Sequence, residues 1–172
     1  MRFLVAISAI VVVLLSAGCA DRPPMTAPSF SPAPPAPSGM ATLYIYRPRT
    51  SQNGMAVWPI MSLNGTKVAE VKMYSYTYVY LKPGNYKITS ERSQLLTGLN
   101  NVPGEFTIST TGDYYLAFVS GGGSYLAPIG GNLMPLPGPT SYGWLMLSKA
   151  QAMNFDLPVT RYLPAINQII SD

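Results

Sequence analysis

The chain has 172 residues, with 11 lysines and arginines against 7 acidic residues, a net charge of +4, no histidine and one cysteine. With no histidine it lacks the side chain that usually serves as general base near neutral pH. A single cysteine excludes an internal disulfide and any cysteine-histidine zinc set, so no metal or other cofactor is expected.

Residues 1–18 start with a charge at Arg2, run through an apolar stretch and end in Leu14-Leu15-Ser16-Ala17-Gly18, directly before Cys19. This is the layout of a secretory signal. An uncleaved membrane anchor is the other reading, but a span needs about 20 apolar residues and a charged or aromatic flank. With cysteine at the cut, the run resembles a bacterial lipobox, although Ser16 stands where leucine is commoner. The resemblance implies cleavage between Gly18 and Cys19, diacylation of the Cys19 thiol and acylation of the new amino terminus. It also implies a protein facing the periplasm. Ala20 in second place favours the outer membrane by the sorting rule of such proteins, and Asp21 leaves the inner membrane open.

Residues 19–39 are read as the lipidated terminus and a tether. From Arg22 to Gly39 they are mostly proline, alanine and serine, a composition that holds the chain near polyproline II. Fully extended at about 3.1 Å per residue, the tether reaches on the order of 50 Å. The other reading is a proline-rich ligand for a groove.

Residues 40–172 are expected to form one domain. From residue 41 the apolar pattern has period two and turn residues recur at short intervals, which predicts antiparallel β structure. Residues 41–47 form a first strand, with Leu43 and Ile45 on one face and Tyr44 and Tyr46 on the other. Residues 57–63 and 66–71 flank Asn64-Gly65, a pair suited to a type I′ hairpin turn. Residues 73–81 and 85–91 flank a turn at Pro83-Gly84, and are expected to pair, with Val79, Leu81, Tyr86 and Ile88 meeting in the core. Residues 105–110 and 114–120 are expected to form a third hairpin around Gly112. The glycines and prolines of residues 121–140 predict a long loop, and residues 141–148 a late strand. Short helices are expected at 148–154 and 164–170, with Pro158 to Thr160 extended between them. About seven strands with tight turns make an all-β, antiparallel β-sandwich with a short helical C-terminal segment.

The opening Leu43-Tyr44-Ile45-Tyr46-Arg47-Pro48, the hairpin at Leu63 to Ala69, the turn from Tyr78 to Tyr86 and the return Gly112-Asp113-Tyr114-Tyr115 resemble a family of small bacterial lipoproteins. These share a β domain of unknown function. The likeness covers residues 41–120, with a looser match from Gly143 onward. The Asn-Gly and Pro-Gly turns are also similar to the short PEGA-type β modules of envelope proteins. Both resemblances imply a β-sandwich exposed to the periplasm, and neither carries a catalytic motif.

Without histidine or a free thiol, two routes to catalysis are left: a Ser148-Lys149 dyad, whose adjacent side chains a strand would send to opposite faces, and a carboxylate pair of the glycosidase kind, from Glu70, Glu91, Glu105 and Asp113. All four carboxylates sit in or beside strands and turns, where a solvated charge is the plain expectation. Arg47, Arg49, Lys67, Lys72, Lys82, Lys87 and Arg92 are scattered along strands and turns, unlike a nucleic-acid-binding surface, and are expected on solvated faces. The unusual constellation is aromatic. Tyr74, Tyr76, Tyr78 and Tyr80 alternate, so an extended strand places all four phenols on one face. Such a face could stack on sugars or grip an extended peptide. The plainer expectation is packing within the protein, since tyrosine favours strands and a C-terminal segment could cover the face.

The expected protein is therefore a monomeric or weakly associating envelope protein, held to the membrane by its N-terminal lipid. It would act as a non-enzymatic binding or scaffold module, with peptidoglycan or an envelope protein as partner and no nucleic acid. An accessory subunit of an envelope or secretion complex is the alternative, and a carboxylate-dependent glycan enzyme a further one.

Overall fold

The computed structural model describes residues 22–48, 58–91, 102–129 and 132–170, with residues 120–141 described as backbone. Residues 1–18 and Cys19 lie outside the described residues. The chain runs through strands β1 (Ala41–Tyr46), β2 (Ile60–Leu63), β3 (Thr66–Glu70), β4 (Ser75–Leu81), β5 (Gly84–Glu91), β6 (Gly104–Ile108), β7 (Asp113–Ile129) and β8 (Asn132–Leu147). Helix α1 (Lys149–Asn154), a 3-10 turn at Leu157–Val159 and the two-residue strands β9 (Arg161–Tyr162) and β10 (Ile169–Ile170) follow.

The strands form two sheets. Sheet A has the order β10-β4-β1-β7-β8, with β9 also on β4, and sheet B the order β3-β2-β5-β6. The expected β-sandwich is what forms. Its interior holds Leu43 and Ile45 from β1, Val79 and Leu81 from β4, Met61, Leu63 and Ile88 from sheet B, and Leu116 and Phe118 from β7.

β1 lies in the middle of sheet A, antiparallel to β4 and parallel to β7. Asn64-Gly65 makes the expected hairpin between β2 and β3, with φ of 48° and 86°, which a type I′ turn requires at both central positions. The other two expected hairpins do not form. β5 pairs with β2 and β6, and β4 with β1, so the chain changes sheets at Lys82-Pro83. It changes again between β6 and β7. A tight turn brings two strands together in sequence but does not choose between pairing and crossing. Here crossing lets Val79, Leu81, Tyr86 and Ile88 meet from opposite sheets, and the Tyr86 hydroxyl braces the corner by donating to the Lys82 carbonyl at 2.8 Å.

The expected loop at 121–140 is instead the far part of a β7-β8 ribbon, paired from Tyr115↔Leu147 out to Ile129↔Asn132 with an irregularity between Gly121 and Gly123. β1 accompanies β7 only as far as Ala117, so most of the ribbon stands beyond the sandwich on two strands. Pro135, Pro137 and Pro139 alternate along β8. A ladder with β7 survives them when they take the positions whose backbone nitrogen faces away from β7. The outer edge of β8 is then short of donors, which discourages pairing with another chain.

The helix at the C-terminus forms as expected because Ser148 caps it. Its hydroxyl accepts from the Gln151 amide at 3.3 Å, and the Gln151 side chain accepts from the Ser148 amide at 2.9 Å. Pro158 to Thr160, expected as extended, includes the end of the 3-10 turn. The expected second helix at 164–170 is extended chain, because it completes the edge of β4. The amide of Leu163 donates to the Tyr76 carbonyl, the Gln168 side-chain amide to the Tyr78 carbonyl, and the Tyr80 amide to the Gln168 carbonyl. Edge pairing outweighs the weak helical tendency of so short a segment.

Ile45 is 1% exposed at the centre of the sandwich. Ile45→Ala is expected to cost about 2–5 kcal/mol, seen as a lower urea midpoint with an unchanged slope. A midpoint equal to that of the parent would contradict the placement of β1.

Candidate functional site

All six residues of β1 are buried, and its second face carries Thr42, Tyr44 and Tyr46. Tyr44 and Tyr46 point away from the sandwich, beside Tyr76 and Tyr78 of β4 and Tyr115 of β7. Tyr44 stacks on Tyr115, its neighbour in register, with ring centroids 5.1 Å apart and planes 7° from parallel. Tyr78 lies between Tyr80 and Tyr162, 5.7 Å from each.

This places three of the four predicted site tyrosines together. Tyr76, Tyr78 and Tyr80 share the outer face of sheet A, whereas Tyr74 lies before the strand, in a turn with φ of 57°. The shared face is covered: Tyr76 is 2% and Tyr80 7% exposed, and Tyr78 is partly buried. Leu157 and Ala152 cover part of it from the C-terminal region.

The rest of the cover is the proline-rich segment. In the described residues the segment expected to be a free tether lies against the domain. Phe30 sits edge-on to Tyr44 at 5.7 Å and to Tyr76 at 5.1 Å. Three tyrosine hydroxyls then hold the backbone that follows. Tyr76 accepts from the Ser31 amide at 3.2 Å, Tyr44 accepts from the Ala33 amide at 2.9 Å, and Tyr80 donates to the Pro34 carbonyl at 2.9 Å. The Phe30 amide donates to the Thr160 carbonyl and the Tyr162 amide to the Pro28 carbonyl. Residues 28–34 thus form a strap across the tyrosines.

The two sequence readings converge here: an aromatic face able to grip an extended peptide, and a proline-rich segment able to enter a groove. The physical reason is economy of donors. Proline removes amides from the strap; of those that remain, the phenols accept Ser31 and Ala33 and the Thr160 carbonyl accepts Phe30, while the rings cover the apolar edges.

Burial moves the phenols. Tyr115 is pushed up to about 12, with the Asp113 carboxylate adding to the effect of desolvation. Burial also raises Tyr46, Tyr80 and Tyr162, and it raises Tyr44 against the opposing hydrogen bond from Ala33.

The carboxylates are dispersed. Glu91 pairs with Lys67 at 2.8 Å and Glu70 with Lys72 at 3.3 Å. Both glutamates lie opposite Ile60 on strands either side of it, two strand spacings or about 10 Å apart. Glu105 is on β6, and Asp113 opens β7 in the other sheet. No group of three metal-ligating side chains occurs among the described residues.

Arg47, expected on a solvated face, is fully buried, its guanidinium 5.4 Å from the centre of the Phe118 ring. Position 47 keeps the inward phase of Leu43 and Ile45, and only its charge argues for solvent.

A family model described as "Protein of unknown function (DUF2846)" matches residues 37–124. The match covers β1 to the middle of β7, while the strap, β8, α1, β9 and β10 lie outside it. No curated protein and no solved structure matches the chain.

Tyr44→Phe removes the acceptor of the Ala33 amide and is expected to cost about 1 kcal/mol, measurable by urea unfolding; no loss would contradict the strap contact. Alkali is the second probe. A phenol raised in the folded state stabilises fully below its unfolded value of 10.0, and that contribution is lost as pH rises towards about 12. Tyr115→Phe is therefore expected to flatten the fall in stability between pH 10 and 12, and an unaltered alkaline limb would count against its burial.

Proposed function

The chain belongs to the DUF2846 family, and we propose that it is a lipid-anchored protein of the bacterial cell envelope, acting in the periplasm as a non-enzymatic scaffold or binding module. The observation that carries this reading is the strap. Ser31, Ala33 and Pro34, which follow Cys19 by 12 to 15 positions, are part of the domain, held by the hydroxyls of Tyr44, Tyr76 and Tyr80. The tyrosine face is then a binding face whose occupant is supplied in cis. Pro23 is already buried and stands four residues after Cys19, so the chain between them spans at most about 14 Å. A lipid on Cys19 would hold the sandwich against the bilayer rather than at the end of a long tether.

The described carboxylates favour a non-catalytic role. Two of them are engaged by lysines on the surface of sheet B, and the four are spread over both sheets. No helix among the described residues is long and apolar enough to cross a membrane, and the lipid supplies the attachment in this reading.

A second reading, an accessory subunit of a larger envelope complex, is favoured by the β7-β8 ribbon. From Tyr114 to Ser148 the sequence has no charged residue, and much of that stretch stands beyond the sandwich with only two strands paired. An isolated two-stranded ribbon is marginally stable in water. A partner subunit, or peptidoglycan, would supply the missing contacts.

Two experiments test these readings. Cys19→Ala is expected to abolish incorporation of labelled fatty acid and to move the protein out of the mature membrane-bound form; unchanged incorporation would refute the anchor. For the scaffold, the full lipoprotein is used to capture material from detergent-solubilised envelopes and purified peptidoglycan, beside a variant in which residues 123–138 are replaced by Asn-Gly. Capture lost with the ribbon supports the accessory-subunit reading. Equal capture by both places the binding surface elsewhere on the domain, and no capture by either contradicts a binding role for these ligands.

A further inference from the structure

Arg22, Pro23, Met25, Tyr74, Val159 and Arg161 line a pocket of about 390 Å³ at the point where the described chain begins. Its composition is unusual for a water-facing surface. Met25 is 83% and Val159 58% exposed, and the charged residues of the lining are both arginines.

The place is also built. The Arg22 guanidinium lies over the Tyr74 ring, 4.9 Å from its centre. Tyr74 is held there by a left-handed backbone, φ 57°, a conformation disfavoured for an aromatic residue and sustained by the structure around it. The Ser75 hydroxyl closes that turn on the Lys72 carbonyl, and the Tyr74 carbonyl accepts from the Arg161 amide. Arg161 in turn donates through Nη1 to the Ala27 carbonyl at 2.7 Å, tying the chain just before the strap to the pocket.

We propose that this pocket is a bilayer-docking face, which seats in the headgroup layer of a membrane containing anionic phospholipid. The inference rests on the lipid anchor at Cys19 and deepens it. Two observations select the occupant. Arg22 follows Cys19 by three residues, so a lipid on that cysteine lies within about 10 Å of Arg22, and no other described surface is tied so closely to the bilayer. The side chains match the interface: Met25 and Val159 reach below the headgroups, Tyr74 sits at their level, and Arg22 and Arg161 meet phosphates while their stems cover apolar surface. The acyl chains provide attachment. The pocket fixes orientation, with the strap side of the sandwich towards the membrane and sheet B towards the periplasm.

The test uses the full lipoprotein reconstituted into phosphatidylcholine vesicles with and without phosphatidylglycerol. Cys19 is the only cysteine of the chain and is consumed by lipid, so Val159→Cys and Thr89→Cys each offer a single thiol for an environment-sensitive fluorophore. Thr89 is exposed on sheet B. In anionic vesicles the Val159→Cys label is expected to shift to the blue and to lose fluorescence to a lipid-borne nitroxide, while the Thr89→Cys label is unaffected. Adding Arg22→Glu is expected to remove most of that quenching without releasing the protein from the vesicles. A water-exposed Val159→Cys label on protein that floats with anionic vesicles overturns the docking face and leaves the anchor standing, as does equal quenching at both positions. Protein that does not float with any vesicle overturns the anchor, and the docking face with it.

Discussion

The strand that organises this molecule has no solvent face. Ala41 to Tyr46 is buried at every position, yet its sequence alternates in chemistry. Leu43 and Ile45 enter a conventional apolar interior, while Tyr44 and Tyr46 enter a second layer built of rings and hydroxyls. A buried hydroxyl without a partner is costly; the Tyr46 hydroxyl bears that cost, and its neighbours Tyr44, Tyr76 and Tyr80 avoid it through the strap. Much of the remaining structure answers that demand. The strap brings amides and a carbonyl to three phenols, and α1, the 3-10 turn and β9 close the rest.

That layer explains why so much chain beyond the family-matched region is ordered against the domain. The DUF2846 match covers residues 37–124, but the outer face of sheet A is covered by segments on either side of it. Those segments also meet each other: Ser29 bridges to Arg161, and the Pro28 and Thr160 carbonyls accept amides across the same junction. The two ends of the described chain are therefore fastened at one place, beside β4. Lipidation at the amino-terminal end would bring the carboxy-terminal segment to the membrane with it.

Local chemistry was the most legible part of the sequence. Asn64-Gly65 could be read as a hairpin because both positions need positive φ, and Ser148 with Gln151 forms the capping box that starts α1. The alternation in β1 and β4 identified the faces of Leu43, Ile45, Tyr44, Tyr46, Tyr76, Tyr78 and Tyr80, but not the place of Tyr74, which lies in the turn before β4. Sheet membership was not legible. Pro83-Gly84 and Gly112 mark turns whether the next strand pairs or crosses, and in both places it crosses. The proline spacing of the ribbon could be read as a loop or as a blunted edge strand, and its pairing with β7 depends on partners remote in sequence. The strap has no periodicity of its own. Its docking follows from the tyrosines opposite.

The proline-rich segment is a part of the fold. Amide hydrogen exchange at Phe30, Ser31 and Ala33, followed residue by residue beside the amides of β1, tests it most directly. The account predicts protection at all three, lost together when the domain unfolds. Exchange at the rate of an unfolded chain while β1 stays protected would contradict it, and would leave the tyrosine face open.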